Sequence, residues 1–477
     1  MRIINLNLFF PCVSLIKTIC PISIARLKHT ISHKSMVFMF ASIPVIILFS
    51  LLIESAQAAN FYVRPNGGTY GKTNGSNWDN AFNGFSGISW DSVSCGDTIW
   101  VAGGSYTQEL KPKKKCTSGS RLYIRRARAD ASECTGAKGW ASSFNDTVTQ
   151  IRAPIYFYGD YDYITISGRT TASGGDYGWH INYKGATEAV GIMFENGYNY
   201  DYNTFEYMNL EGPGYVDYTG AGGRAIDISV SYSSPQSYGN TFSHMKIWDW
   251  ESAIYNTEVD GTVFEYLDVY DITPKNWSDY HPNGIYILAS DHGVVRYSKW
   301  HRGPNGFSVG EGIFFAGTGT FDDWKIYGNI FYDLASVGDK AIEVRGTVTG
   351  TNLLVYNNTF DNVTSPVMNE AGGCSTGSEF KNNILYKSPN TTCGTTSNNL
   401  VQSTPNPFVD QTNHNYHIVG RTGAGYPQNA GVNLSHYLTK DMDGITYGGD
   451  GAWDIGAYEW SSGASKIPAP PFDIQIR

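Results

Sequence analysis

Apolar and polar positions alternate along most of this chain in short bursts, and the bursts recur. One element is a small residue, an aliphatic and a short strand: VGIMF at 190, RAIDI at 224, SAIYN at 252, NGIYI at 283, EGIFF at 311, KAIEV at 340 and a degenerate PVMNE at 366. Its central aliphatics are Ile192, Ile226, Ile254, Ile285, Ile313, Ile342 and Met368, separated by 34, 28, 31, 28, 29 and 26 residues. A second element interleaves with the first and carries two apolar positions five apart, as in FEYMNL (205), FSHMKI (242), FEYLDV (264), VRYSKW (295), IYGNIF (326), VYNNTF (355) and FKNNIL (380). Its fourth position runs Met208, Met245, Leu267, Ser298, Asn329, Asn358, Asn383. Asparagine repeated at one turn position predicts a ladder in which each side chain bonds the next coil.

A period near 30 with three short strands and no helix predicts a solenoid. Three strands rising about 3.3 Å per residue close one coil, and coils stack about 4.8 Å apart. A propeller would need a period nearer about 40 and four strands. The expected fold is all-β, a right-handed parallel β-helix (a single-stranded solenoid) with an N-terminal cap and an irregular C-terminal segment. Composition agrees: 53 glycines, 33 tyrosines and only 16% charged residues favour strands and tight turns over helices.

The first 58 residues stand apart. The run MVFMFASIPVIILFSLLIESAQA (36–58), with Arg26, Lys28 and Lys34 upstream, has the layout of a secretory signal cleaved after Ala58, with an uncleaved anchor as the alternative. Its removal leaves 29 basic and 42 acidic residues, a net charge of −13. So acidic a product argues against nucleic acid and against anionic membrane surfaces as partners. Five cysteines remain; Cys374 and Cys393 are close enough in sequence to pair, and two of Cys95, Cys116 and Cys134 form a second bridge, which suits export. The expected organisation is signal peptide 1–58, cap and first coils 59–160, repeats 161–395, C-terminal cap segment 396–460 and a linker-like tail 461–477.

The ladder, the GI strands, the opening NFYVRPNGGTYGKTNGSNWDNAF…GDTIWVAGGSYTQ (60–108) and the close DMDGITYGGDGAWDIGAYEW (441–460) resemble the parallel β-helix proteins of the pectate-lyase superfamily. The resemblance implies a short strand and helix capping the first coil, the GI element as the first strand of each coil, and the Asn ladder after the second. It also implies a substrate cleft built on the third turn. Here 248–251 is tight, whereas 211–223, 270–282 and 301–310 are long. The family includes pectate, alginate and chondroitin lyases and polygalacturonase-like hydrolases, so it implies carbohydrate chemistry without choosing a reaction. The WIDH-type, NTD and RIK signatures of its pectate-lyase and polygalacturonase branches are absent.

With each Ile inward, the next residue points outward, giving the column Met193, Asp227, Tyr255, Tyr286, Phe314, Glu343, Asn369. Two places before the Ile stand Arg224, Ser252, Asn283, Glu311 and Lys340, with Arg345 three after Ile342 and Asp279 and His281 just upstream of Asn283. These are the ingredients of a uronide lyase: a cation to neutralise the substrate carboxylate, a base and an acid. The expected roles are Asn283, Glu311 and Asp279 as oxygen ligands of a Ca²⁺ cofactor. Lys340, Arg345, His281 and Glu343 are expected in catalysis, and Tyr286, Arg224, His301 and Arg302 in contact with a polysaccharide partner. A non-catalytic carbohydrate-binding rod and a glycoside hydrolase using Glu311 and Glu343 are the alternatives. The same residues also read as a cross-strand ion pair (Glu311, Lys340) and turn caps.

Overall fold

The computed structural model describes residues 58–462, apart from 187–188, 215–222, 230–236, 273–281, 317–319, 337, 346–347, 370–375 and 392. The expected signal sequence up to residue 57, the tail from residue 463, Asp279, His281 and Cys374 lie outside the described residues. Among the described residues no helix is long and apolar enough to cross a membrane.

The GI segments form one eight-stranded parallel sheet, from Ile155–Phe157 through Val190–Phe194, Arg224–Ser229, Ser252–Thr257, Asn283–Leu288, Glu311–Phe315 and Lys340–Val344 to Val367–Asn369. Ile155, Ile192, Ile226, Ile254, Ile285, Ile313 and Ile342 pair level with one another and are fully buried. Each such isoleucine contributes about 1.5–3 kcal/mol through burial. At the last copy the expected phase is wrong by one residue. Ile342 pairs with Val367, and Met368 lies level with Glu343 in place of Asn369. PVMNE offers two adjacent apolar residues, and the shorter β-branched one fills the inward position.

The second element builds the other wall. Phe205, Phe242, Phe264, Val295, Ile326, Val355 and Phe380 form one buried file. Leu210, Ile247, Val269, Trp300, Phe331, Phe360 and Leu385 form the other. In three coils the two apolar positions lie on single strands, Thr204–Glu211, Thr241–Trp248 and Val263–Tyr270. Each of these strands bends at one left-handed residue, Tyr207 (φ 58°), His244 (φ 52°) or Tyr266 (φ 52°). A non-glycine residue there costs about 1–2 kcal/mol. Ring stacking between coils offsets it, at 4.4 Å for Tyr207–His244 and 4.5 Å for His244–Tyr266.

The predicted ladder follows the bend. Asn329 donates through Nδ2 to Asn358 Oδ1 (3.0 Å), and Asn358 Nδ2 to Asn383 Oδ1 (3.1 Å). Asn399 extends it below Asn383 (3.0 Å) and Ser298 closes it above, its N–H donating to Asn329 Oδ1 (3.0 Å). Cys95–Cys116 is disulfide-bonded and Cys134 is a buried free thiol. At the N-terminal end the strand Asn60–Arg64 leads into short helical turns at Trp78–Asn80 and Phe85–Gly87, and two more stand at Ser132–Thr135 and Ser143–Asp146. Trp78, Cys134 and Phe144 pack there in a separate core cluster. At the other end the C-terminal segment folds back on the outer side of the last coils. Tyr356, Ile384 and Tyr386 pack with Phe408, Tyr416, Leu434 and Trp453, which is why outward positions there are apolar.

Candidate functional site

The eight-stranded sheet brings Asn283, Glu311 and Lys340 level on three successive coils. They enter their strands at a corner, where side-chain alternation is not yet established, so Lys340 reaches both ways. Its Nζ lies 2.7 Å from Glu343 Oε2 on its own strand and 3.7 Å from Glu311 Oε1 on the neighbouring coil. Lys340 is partly exposed, whereas Glu311, Glu343 and Asn283 are buried.

Burial pushes the Glu311 carboxyl up from 4.5 to about 7, and the Glu343 carboxylate adds to the rise; Lys340 and Arg345 pull the other way. Glu311 therefore exchanges its proton near neutrality, where acid–base catalysis is most effective. Arg345 sits just past the strand with its guanidinium 4.7 Å from the Phe314 ring centroid. Phe314 meets Tyr286 edge-on (5.6 Å), and Tyr286 stacks on Tyr255 (4.5 Å, 9° between planes). Arg224 closes the row, 3.8 Å over Tyr255 and bonded to Asp227 at 2.7 Å.

His301 and Arg302, expected on the same rim, belong elsewhere. His301 is on the outer side of the other sheet, stacked between Tyr270 (5.1 Å) and Tyr332 (4.4 Å). Its Nε2 lies 3.0 Å from Asp268 Oδ1. Arg302 braces the long turn after it by donating to the Gly306 carbonyl and the Ser336 hydroxyl, and pairs with Asp339 at 3.4 Å. The alternation rule located the outward column but gave no sign of these partners, Asp268 and Asp339, or of Asp227 beside Arg224. Only the matching spacing of Arg224–Asp227 and Lys340–Glu343, three residues apart on one strand, was legible.

Of the residues expected to hold calcium, Asn283 and Glu311 stand level on neighbouring coils, and Asp279 lies outside the described residues. Among the described residues no three His, Cys, Asp or Glu side chains converge to hold a metal ion.

Searches against protein-family models and against curated proteins found no match. Among solved structures the chain is similar to pectate lyase Pel9A, with 16% identity over 85% of this chain and 97% of that one, at a TM-score of 0.51. An alginate lyase from Paenibacillus sp. str. FPU-7 matches with 14% identity and a TM-score of 0.36, over 71% of this chain and 97% of that one. XylC in complex with xylose matches with 9% identity and a TM-score of 0.33, over 84% and 98%. The chain has a parallel β-helix fold, which it shares with pectate lyase Pel9A. At these identities the likeness speaks for the fold alone.

Proposed function

We propose that this protein is a secreted enzyme that cleaves an acidic extracellular polysaccharide by β-elimination. The observation that carries the reading is a carboxyl titrating near neutrality, Glu311, beside two cations, Lys340 and Arg345. Elimination needs that combination. The cations bind the substrate carboxylate and stabilise the charge that builds on it as the adjacent C–H ionises. Glu311 takes that proton, the ring carbon–carbon double bond forms, and the bond to the neighbouring sugar's oxygen breaks. The Tyr286 hydroxyl, on the next coil, supplies the proton that oxygen needs. Lys340, one of the residues expected in catalysis, is tied to two carboxylates, so we assign it to charge neutralisation.

One observation favours a second reading, glycoside hydrolysis. Glu343 and Glu311 are neighbouring carboxyls, and one raises the titration of the other, as in an acid–base pair. That reading leaves Lys340 and Arg345 without a chemical task. A panel of uronic-acid polymers separates them: elimination yields ultraviolet-absorbing unsaturated ends, and hydrolysis yields reducing ends without that absorbance. Elimination is expected, abolished by Glu311→Gln. Reducing ends alone would move the assignment to hydrolysis, and silence on every polymer would leave a binding rod.

A further inference from the structure

The outer face of the eight-stranded sheet carries the Lys340 arrangement twice. Four coils toward the N-terminus, Arg224 enters its strand in the same file as Asn283, Glu311 and Lys340. Its Nη1 donates to Asp227 Oδ2 at 2.7 Å, three residues along, just as Lys340 Nζ donates to Glu343 Oε2 at 2.7 Å. Between the two pairs runs the row Tyr255, Tyr286, Phe314, with Arg224 over one end and Arg345 over the other.

Arg224 is built to hold something more than Asp227. A guanidinium has five N–H donors in a fixed fork. Among the described residues Arg224 makes a single hydrogen bond, through Nη1, and its side chain is 35% exposed. Stacking on Tyr255 fixes the plane of the fork, and Asp227, itself bonded by the Ser229 hydroxyl, fixes its rotation. A pre-set planar fork with open donors matches a carboxylate, which can accept two parallel N–H bonds.

The spacing ties this fork to the cluster. Coils repeat at about 4.8 Å, so four steps cover roughly 19 Å. One coil is close to the length of one pyranose unit, and a polysaccharide lying along the axis advances about one sugar per coil. We infer that Arg224 is a distal anchor for a second carboxylate of the same acidic chain, four sugars from the one held at Lys340 and Arg345. This rests on the reading of the substrate given above and adds a length requirement to it.

The test is binding and turnover of sized oligouronates, dimers to octamers, by wild type, Arg224→Gln and Arg224→Lys, each first checked for wild-type Tm. Wild type should gain about tenfold or more in affinity between tetramer and pentamer, the shortest chain reaching both sites. Arg224→Gln should lose that step, and Arg224→Lys should keep only part of it. Binding without a step, or an equal loss at every length, would overturn the anchor alone. No binding of any oligouronate would overturn the substrate reading as well.

Discussion

Replacing Glu311 by glutamine removes a proton site and the charge that faces Lys340, and its effect on stability depends on pH in a way the structure dictates. In the fold this carboxyl titrates at about 7; in an unfolded chain it titrates near the ordinary 4.5. The folded state therefore holds the proton more tightly. The stabilisation is fully present below pH 4.5 and is lost as pH rises through 7. The difference corresponds to about 3 kcal/mol between these limits. Glutamine keeps the size and polarity of the protonated acid at every pH. Urea unfolding of wild type and Glu311→Gln at pH steps from mildly acid to mildly alkaline should show near-equal stability at the acid end. The variant should become the more stable by about 3 kcal/mol at the alkaline end. A difference that stays constant with pH, or a variant that loses ground as pH rises, would refute the assignment of Glu311 as the group that holds a proton near neutrality.

Other outcomes follow from the same contacts. Lys340→Met leaves Glu311 and Glu343 buried without their ammonium and should destabilise by about 3–5 kcal/mol at neutral pH, largely recovered in Lys340→Met/Glu343→Gln. Asn358→Ala removes bonds from Asn329 and to Ile326 and Asn383, and should cost about 3 kcal/mol in urea unfolding, with a smaller loss for Asn399→Ala at the ladder's end.

How far these features could be read from the sequence depended on whether a position repeats. The isoleucine file and the lower Asn ladder recur at a steady offset, and both formed as expected. The phase slipped where two apolar residues adjoin, at Val367 and Met368. A second Asn contact, Asn203 N–H to Asn240 Oδ1 at 2.9 Å, went unread because asparagine holds that turn position in only these two neighbouring coils, with Thr262 and Gly293 in the next. His301 was placed on the wrong wall. Its neighbours in sequence show a long turn, but which side of the chain it faces is set by the strand before that turn. The row joining Arg224 to Arg345 is made of contacts between coils roughly 30 residues apart, and periodicity reports which residues are level without saying which rings touch. The C-terminal segment has no period, so its return onto Tyr356 and Tyr386 could not be foreseen.

The central claim concerns which bond is broken and how, and the fate of the water oxygen decides it. Cleavage of a uronic-acid polymer in water enriched in heavy oxygen, followed by mass analysis of the new ends, should show products that carry no label and have an unsaturated terminal sugar. One heavy oxygen at each newly formed reducing end would mean that water attacks the glycosidic carbon, and that Glu311 and Glu343 work as a hydrolytic pair.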